Sequence, residues 1–133
     1  MTSMHSNIEI RKIIQTWLNN VFKEVRIPQN VIAFNFQLQR TPDEFEMFLT
    51  GHDDFYYEHD TWILSEVYSP NTNFQGLGIA SLSFSDQEIF AIYKQEVIDF
   101  ITNKIDDFPK QVHYFNVKYP GGIPELLYER QIK

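Results

Sequence analysis

The 133-residue chain contains no cysteine, which excludes disulfides, thiolate zinc sites, iron–sulfur clusters and a cysteine nucleophile. Glycine is scarce, with 5 residues. Gly76-Leu77-Gly78 has a G-x-G spacing, but no third glycine completes a dinucleotide fingerprint and no phosphate-loop lysine follows. A bend or bulge is the expectation there. None of Ser65, Ser69, Ser81 and Ser83 sits in G-x-S-x-G, so a hydrolase triad has no motif behind it. No run approaches the roughly 18 apolar residues of a membrane-spanning helix, and no export signal is evident, so a cytoplasmic location is expected.

The most informative scarcity is positive charge. Lys and Arg number 11 against 18 Asp and Glu, a formal net charge of −7. Residues 41–93 hold no Lys or Arg at all, while carrying Asp43, Glu44, Glu46, Asp53, Asp54, Glu58, Asp60, Glu66, Asp86 and Glu88. Nucleic acid and anionic membrane surfaces recruit Lys and Arg, so neither is expected as a partner. A basic protein is, because an acidic field of this kind steers cationic partners and speeds their association. The competing reading is a solvated face that serves solubility.

What is present suits an ordinary globular domain, with apolar residues at 43% and charged residues at 22%. The length fits one domain, 1–133, able to bury its own core. Ile10, Ile13, Ile14, Trp17, Leu18, Val21, Phe22 and Val25 recur at helical spacing and predict an amphipathic helix over 6–25, opened by a Ser6/Glu9 capping box. Period-two alternation predicts strands over 31–40 and 44–50, then over 62–68 and, more weakly, 77–84. Ser85 and Glu88 form a second capping box, opening a helix over 86–107 that Pro109 ends. A strand over 111–119 follows. Residues 123–133 suit either a short helix or the return strand of a hairpin, with the tight YPGG turn favouring the hairpin. The expected fold is α+β: a two-layer sandwich, with an antiparallel meander sheet of four to six strands carrying two amphipathic helices on one face. The other sheet face, with aromatics such as Phe48, is then partly open, and an exposed aromatic face is a candidate binding surface.

Residues 51–60, GHDDFYYEHD, concentrate two histidines, four carboxylates and three consecutive aromatics. The candidate partner-binding residues are Asp53, Asp54, Phe55, Tyr56, Tyr57, Glu58, Asp60 and, at the start of the next strand, Trp62. The carboxylates would pair with partner Lys or Arg, and the rings would supply a desolvated centre. A plain loop with one ring folded onto the core is the bland alternative. A divalent metal site from His52, Asp54, His59 and Asp60 has suitable donor atoms, but the spacing fits neither H-E-x-x-H nor an EF-hand. No metal, cofactor or catalytic residue is therefore assigned, and the chain is not expected to be an enzyme.

The capped helix over Ser6–Val25, the acidic segment 41–60 and the helix over Ser85–Ile105, in a small acidic chain without cysteine, resemble small bacterial immunity proteins in layout. That resemblance implies a protein that binds and neutralises a basic toxin, for example a nuclease, by covering its active site. The alternative is a small enzyme or ligand-binding domain with a pocket between sheet and helices.

Overall fold

The computed structural model describes residues 4–23, 26–70, 75–118 and 121–131. Helix α1 spans Met4–Lys23 and α2 spans Asp86–Lys104. Six strands form one sheet: β1 Ala33–Arg40, β2 Phe45–His52, β3 Glu66–Tyr68, β4 Gln75–Gly76, β5 Tyr114–Lys118 and β6 Pro124–Glu129. The α+β class and the two helices on a sheet are as expected. The meander is not, because the strand order is β3-β2-β1-β5-β6, with β4 also pairing β2. β1 and β5 run parallel, Ala33 beside Tyr114 through Gln37 beside Lys118, so the sheet is mixed rather than antiparallel.

The register explains the two layers. Phe34, Phe36 and Leu38 of β1 lie opposite Gly51, Leu49 and Met47 of β2. Phe115 and Val117 of β5 continue the same face. All but the glycine belong to the core with Ile10, Ile14, Trp17, Leu18 and Val21 of α1 and Ile89, Ile92, Tyr93, Val97 and Ile101 of α2. Phe22 of α1 meets Phe34 edge-on at 5.5 Å, and the Tyr93 hydroxyl donates to the Gln37 carbonyl at 3.1 Å, placing both helices on this face. A polar tie crosses between the helices: the half-exposed Arg11 and the exposed Gln15 donate to the largely buried Glu96 carboxylate at 2.7 and 2.8 Å. Burying a carboxylate is tolerable only when it is paired in this way.

The capping box of α2 forms as the sequence implies: Ser85 Oγ accepts from the Glu88 amide, and the Glu88 carboxylate accepts from the Ser85 amide. Among the described residues α1 starts at Met4, so Ser6 lies inside the helix rather than at the N-cap position expected for it. Glu24 and Val25 lie outside the described residues, as does Tyr119. The C-terminal stretch is the hairpin strand, β6 pairing antiparallel with β5 through a bulge between Phe115 and Asn116. Arg130, just past it, donates to the carbonyls of Ile105 and Pro109 at 2.6 and 3.0 Å, closing the C-terminal end of α2 and of the 3-10 turn Ile105–Asp107 that follows it. A cation is favoured at that end of a helix.

Two expected strands fail for identifiable reasons. Over 77–84 the extended chain stops at Gly76, and Ile79–Ser83 is a 3-10 turn. The Phe45 amide, which a fourth strand would engage, donates instead to Ser81 Oγ at 3.0 Å, while Ser81 Oγ donates to the Gly78 carbonyl at 2.6 Å. Gly78 itself sits at φ 83°, ψ 164°, and its amide donates to the Glu44 carboxylate at 2.8 Å. The Gly-Leu-Gly spacing therefore serves a bend. An L side chain at that φ and ψ is strained, so Gly78→Ala is expected to cost about 1–3 kcal/mol, read as a lower denaturation midpoint with an unchanged denaturant slope.

Candidate functional site

The second lost strand builds the site. Thr61–Ser65 is a 3-10 turn, and only Glu66–Tyr68 pairs with β2. The Ile63 amide donates to the Asp60 carbonyl at 3.0 Å and the Ser65 hydroxyl closes on the Trp62 carbonyl. Strand alternation is abandoned: Trp62 is 3% exposed whereas Leu64 is 85% exposed. The turn rolls Trp62 onto the sheet face opposite the helices, and residues 53–60 follow it.

That face, expected to be partly open, is half covered by this loop. Phe55 stacks on Tyr114 of β5 with centroids 4.1 Å apart and planes at 12°. Trp62 meets His52 edge-on at 4.9 Å and Phe55 at 5.3 Å. The Tyr57 hydroxyl donates to the Glu129 carboxylate of β6 at 2.8 Å, and that bond pushes the phenol pKa up. Tyr56 lies against the His59 ring at 4.5 Å, and His59 Nδ1 is paired with the Thr61 hydroxyl at 2.7 Å. Phe48, further down the face, is half-buried. The loop is therefore pinned to three strands through its aromatic side chains.

Beneath it lies a row of polar residues that the sequence reading did not single out. Thr50, Asn35 and Asn116 stand side by side across β2, β1 and β5, and all three are buried. The Gln37 amide donates to Thr50 Oγ1 at 2.9 Å, and Thr50 Oγ1 is 2.8 Å from His52 Nε2. A threonine hydroxyl has one proton and two acceptor lone pairs, so Thr50 can take the Gln37 N–H and still exchange a hydrogen bond with His52 Nε2 in either tautomer. Burial lowers the His52 pKa to about 4, outweighing the Trp62 backbone contact and the Asp53 charge, which act the other way. Asn116 Nδ2 donates to the Phe34 carbonyl at 3.1 Å. Asn35 is fully buried with neither amide atom partnered. These positions were legible only as polar residues alternating with the apolar ones of their strands.

Of the candidate residues, Phe55, Tyr56, Tyr57, Glu58, Asp60 and Trp62 come together around one cavity of 380 Å³, whose lining also includes His59, Asn116, Pro124, Ile123 and Leu126. Asp53 is exposed and lies outside that lining. Asp54 also lies outside it, its carboxylate accepting from the Phe55 amide at 2.9 Å. Trp62, considered as a contact residue, is a buried wall of the cavity rather than a free anchor. The four residues considered for a metal do not converge: His52 is held by Thr50 and His59 by Thr61, and among the described residues no group of three metal-ligating side chains is placed to hold an ion.

The acidic segment also divides. Glu44 serves the Gly78 bend, Asp86 pairs with Arg40 at 3.1 Å and Glu88 closes the helix cap. Asp53, Glu58 and Glu66 are exposed beside the pinned loop, together with the apolar surfaces of Tyr56, Tyr57, Leu64 and Val67. Between sheet and helices Phe22, Phe34, Phe108 and Phe115 interlock at centroid distances of 5.0 to 6.1 Å. A second concavity, of 560 Å³, lies at the C-terminal ends of the two helices beside Phe22, Phe100 and Phe108. Comparison with protein-family models, with curated proteins and with solved structures returns no match. No described helix is long and apolar enough to cross a membrane.

Proposed function

We propose that the protein is an acidic interaction module that binds a basic protein, and that it acts as an immunity-type inhibitor of a basic toxin such as a nuclease. The observation that carries this reading is the pinned loop 53–66. It presents exposed Tyr56, Tyr57 and Leu64, at 46%, 65% and 85%, flanked by Asp53, Glu58 and Glu66. Exposed tyrosines are enriched at interface centres, and surrounding charge of one sign steers a partner of the opposite sign. The loop's contacts with Tyr114, Glu129 and His52 reduce the ordering cost that a free loop would incur on binding.

The test uses charge reversal at exposed residues whose carboxylates hold no hydrogen bond among the described residues. Asp53 and Glu66 qualify, whereas Asp54 also holds the Phe55 amide. Affinity chromatography of the host's lysate at low salt, run in parallel on the wild-type chain and on Asp53→Lys/Glu66→Lys, is expected to recover a basic protein on the first only. The purified pair should weaken at least about 10-fold in the double variant, with a flatter salt dependence and an unchanged melting temperature. The wild-type chain should inhibit the partner's activity. Equal retention of every basic protein by both chains sinks the proposal.

A further inference from the structure

We propose that the 380 Å³ cavity under residues 55–62 receives a single arginine side chain of the basic partner; this rests on the interaction reading above and names its anchor. The lining residues divide by depth. Trp62 and Asn116 are buried, at 3% and 1% exposure, while Glu58 is exposed and Asp60 half-buried. The lining therefore combines carboxylates and tyrosines near solvent with a buried indole and amide. Pro124, Ile123 and Leu126 supply apolar surface for a methylene stem.

Charge decides the class of occupant. The described lining contains two carboxylates and no Lys or Arg. Among the described residues, the ion pairs join Arg11 to Glu96, Arg40 to Asp86 and Lys94 to Glu125, and none engages Glu58 or Asp60. An anion would be repelled, and a neutral apolar group would strand both carboxylates. Arginine fits better than lysine. Its flat guanidinium stacks on aromatic planes, which Phe55, Tyr56, Tyr57 and Trp62 provide, and its fork matches carboxylate geometry, whereas an ammonium is compact and holds its water tightly. The cavity is also preformed, since Tyr57 is fixed by Glu129 and Tyr56 lies on His59. Asn35, beside Asn116 in the parallel register and fully buried with both amide atoms unpartnered, lies outside this lining and takes no part in the proposal.

The experiment titrates the full chain, by amide and indole NMR at neutral pH, with acetyl-Gly-Arg-Gly-amide, its citrulline twin and its lysine twin. The arginine peptide is expected to shift the Trp62 indole N–H and the amides of 55–60. Its apparent affinity should fall about 10-fold or more in the citrulline twin and in Glu58→Gln/Asp60→Asn, the loss expected of one close charge pair. Equal shifts from the arginine and citrulline peptides, shifts unaltered by Glu58→Gln/Asp60→Asn, or no shift near Trp62, overturn the proposal, and a lysine twin that binds as well as arginine overturns the choice of arginine. The outcome is separable from that of the broader reading. A basic protein partner lost by Asp53→Lys/Glu66→Lys but retained by Glu58→Gln/Asp60→Asn leaves the interaction module standing and removes the cavity from it.

Discussion

Trp62→Ala is expected to destabilise the protein by about 3–5 kcal/mol, the range for emptying a buried large aromatic site. The side chain is 3% exposed and is the contact through which the Thr61–Ser65 turn reaches both His52 and Phe55. Truncating it removes that support and opens the buried row Thr50, Asn35 and Asn116 to water. Phe55 keeps its stack on Tyr114, so the loop should loosen rather than detach. Trp62→Phe keeps an aromatic plane and is expected to lose no more than about half as much. Leu64→Ala, two residues on and 85% exposed, is expected to stay within about 0.5 kcal/mol of wild type. Denaturant titration of the three variants, with limited proteolysis across 53–60, checks the set. A loss below about 1 kcal/mol for Trp62→Ala, well short of the buried-aromatic range, would show that the loop is not packed on the sheet. The same variant should weaken partner binding although the exposed carboxylates are untouched, because the loop would then have to be ordered on binding.

The contrast between Trp62 and Leu64 also marks where the sequence could be read and where it could not. The helical stripes and the alternation in β1 and β2 were legible because each element has one apolar face and one destination for it. Phe34, Phe36 and Leu38 had to meet a helix layer, and they do. WILSEVY alternates well enough to read as a strand, but its first half is a 3-10 turn, because burying Trp62 against His52 and closing Ser65 on the Trp62 carbonyl outcompete a longer pairing with β2. The parallel pairing of β1 with β5 was hidden for a different reason. It joins segments some 80 residues apart, and no local pattern records which strand a distant one lies beside. One trace of it existed: Ala33 and Asn35, on the supposedly open side of β1, are as fully buried as Phe34. A central strand covered on both faces reads as VIAFNF. At the site, composition marked residues 51–60 as an acidic and aromatic concentration, of which Gly51 and His52 end β2 and the rest form the loop. It gave no sign that Tyr57 would find Glu129, or Phe55 find Tyr114, since those partners come from the far hairpin.

His52 should make stability depend on pH. Its ring is 1% exposed, Nε2 is engaged by Thr50, and burial lowers its pKa from 6.5 to about 4. In the unfolded chain the imidazole takes a proton as pH falls through 6.5; in the folded chain it stays neutral until about 4. Between those values the unfolded state binds more protons, so stability falls as pH falls, and it is fully present only above 6.5. The loss approaches about 3 kcal/mol at the acid end, from 1.36 kcal/mol per pH unit. Carboxylates titrate over the lower part of the same window, so the measurement is a difference: denaturant stability from pH 7.5 to 4 for the wild-type chain and for His52→Gln, whose amide can meet Thr50 without titrating. The wild type is expected to lose more than the variant, with the gap opening at 6.5 and growing downward. Parallel curves would mean that burial does not hold His52 neutral in the folded protein. The consequence reaches the loop, because a charged imidazole beneath Trp62 must recruit water or move. Partner binding through residues 55–62 should therefore weaken over the same interval in the wild type, and less so in His52→Gln.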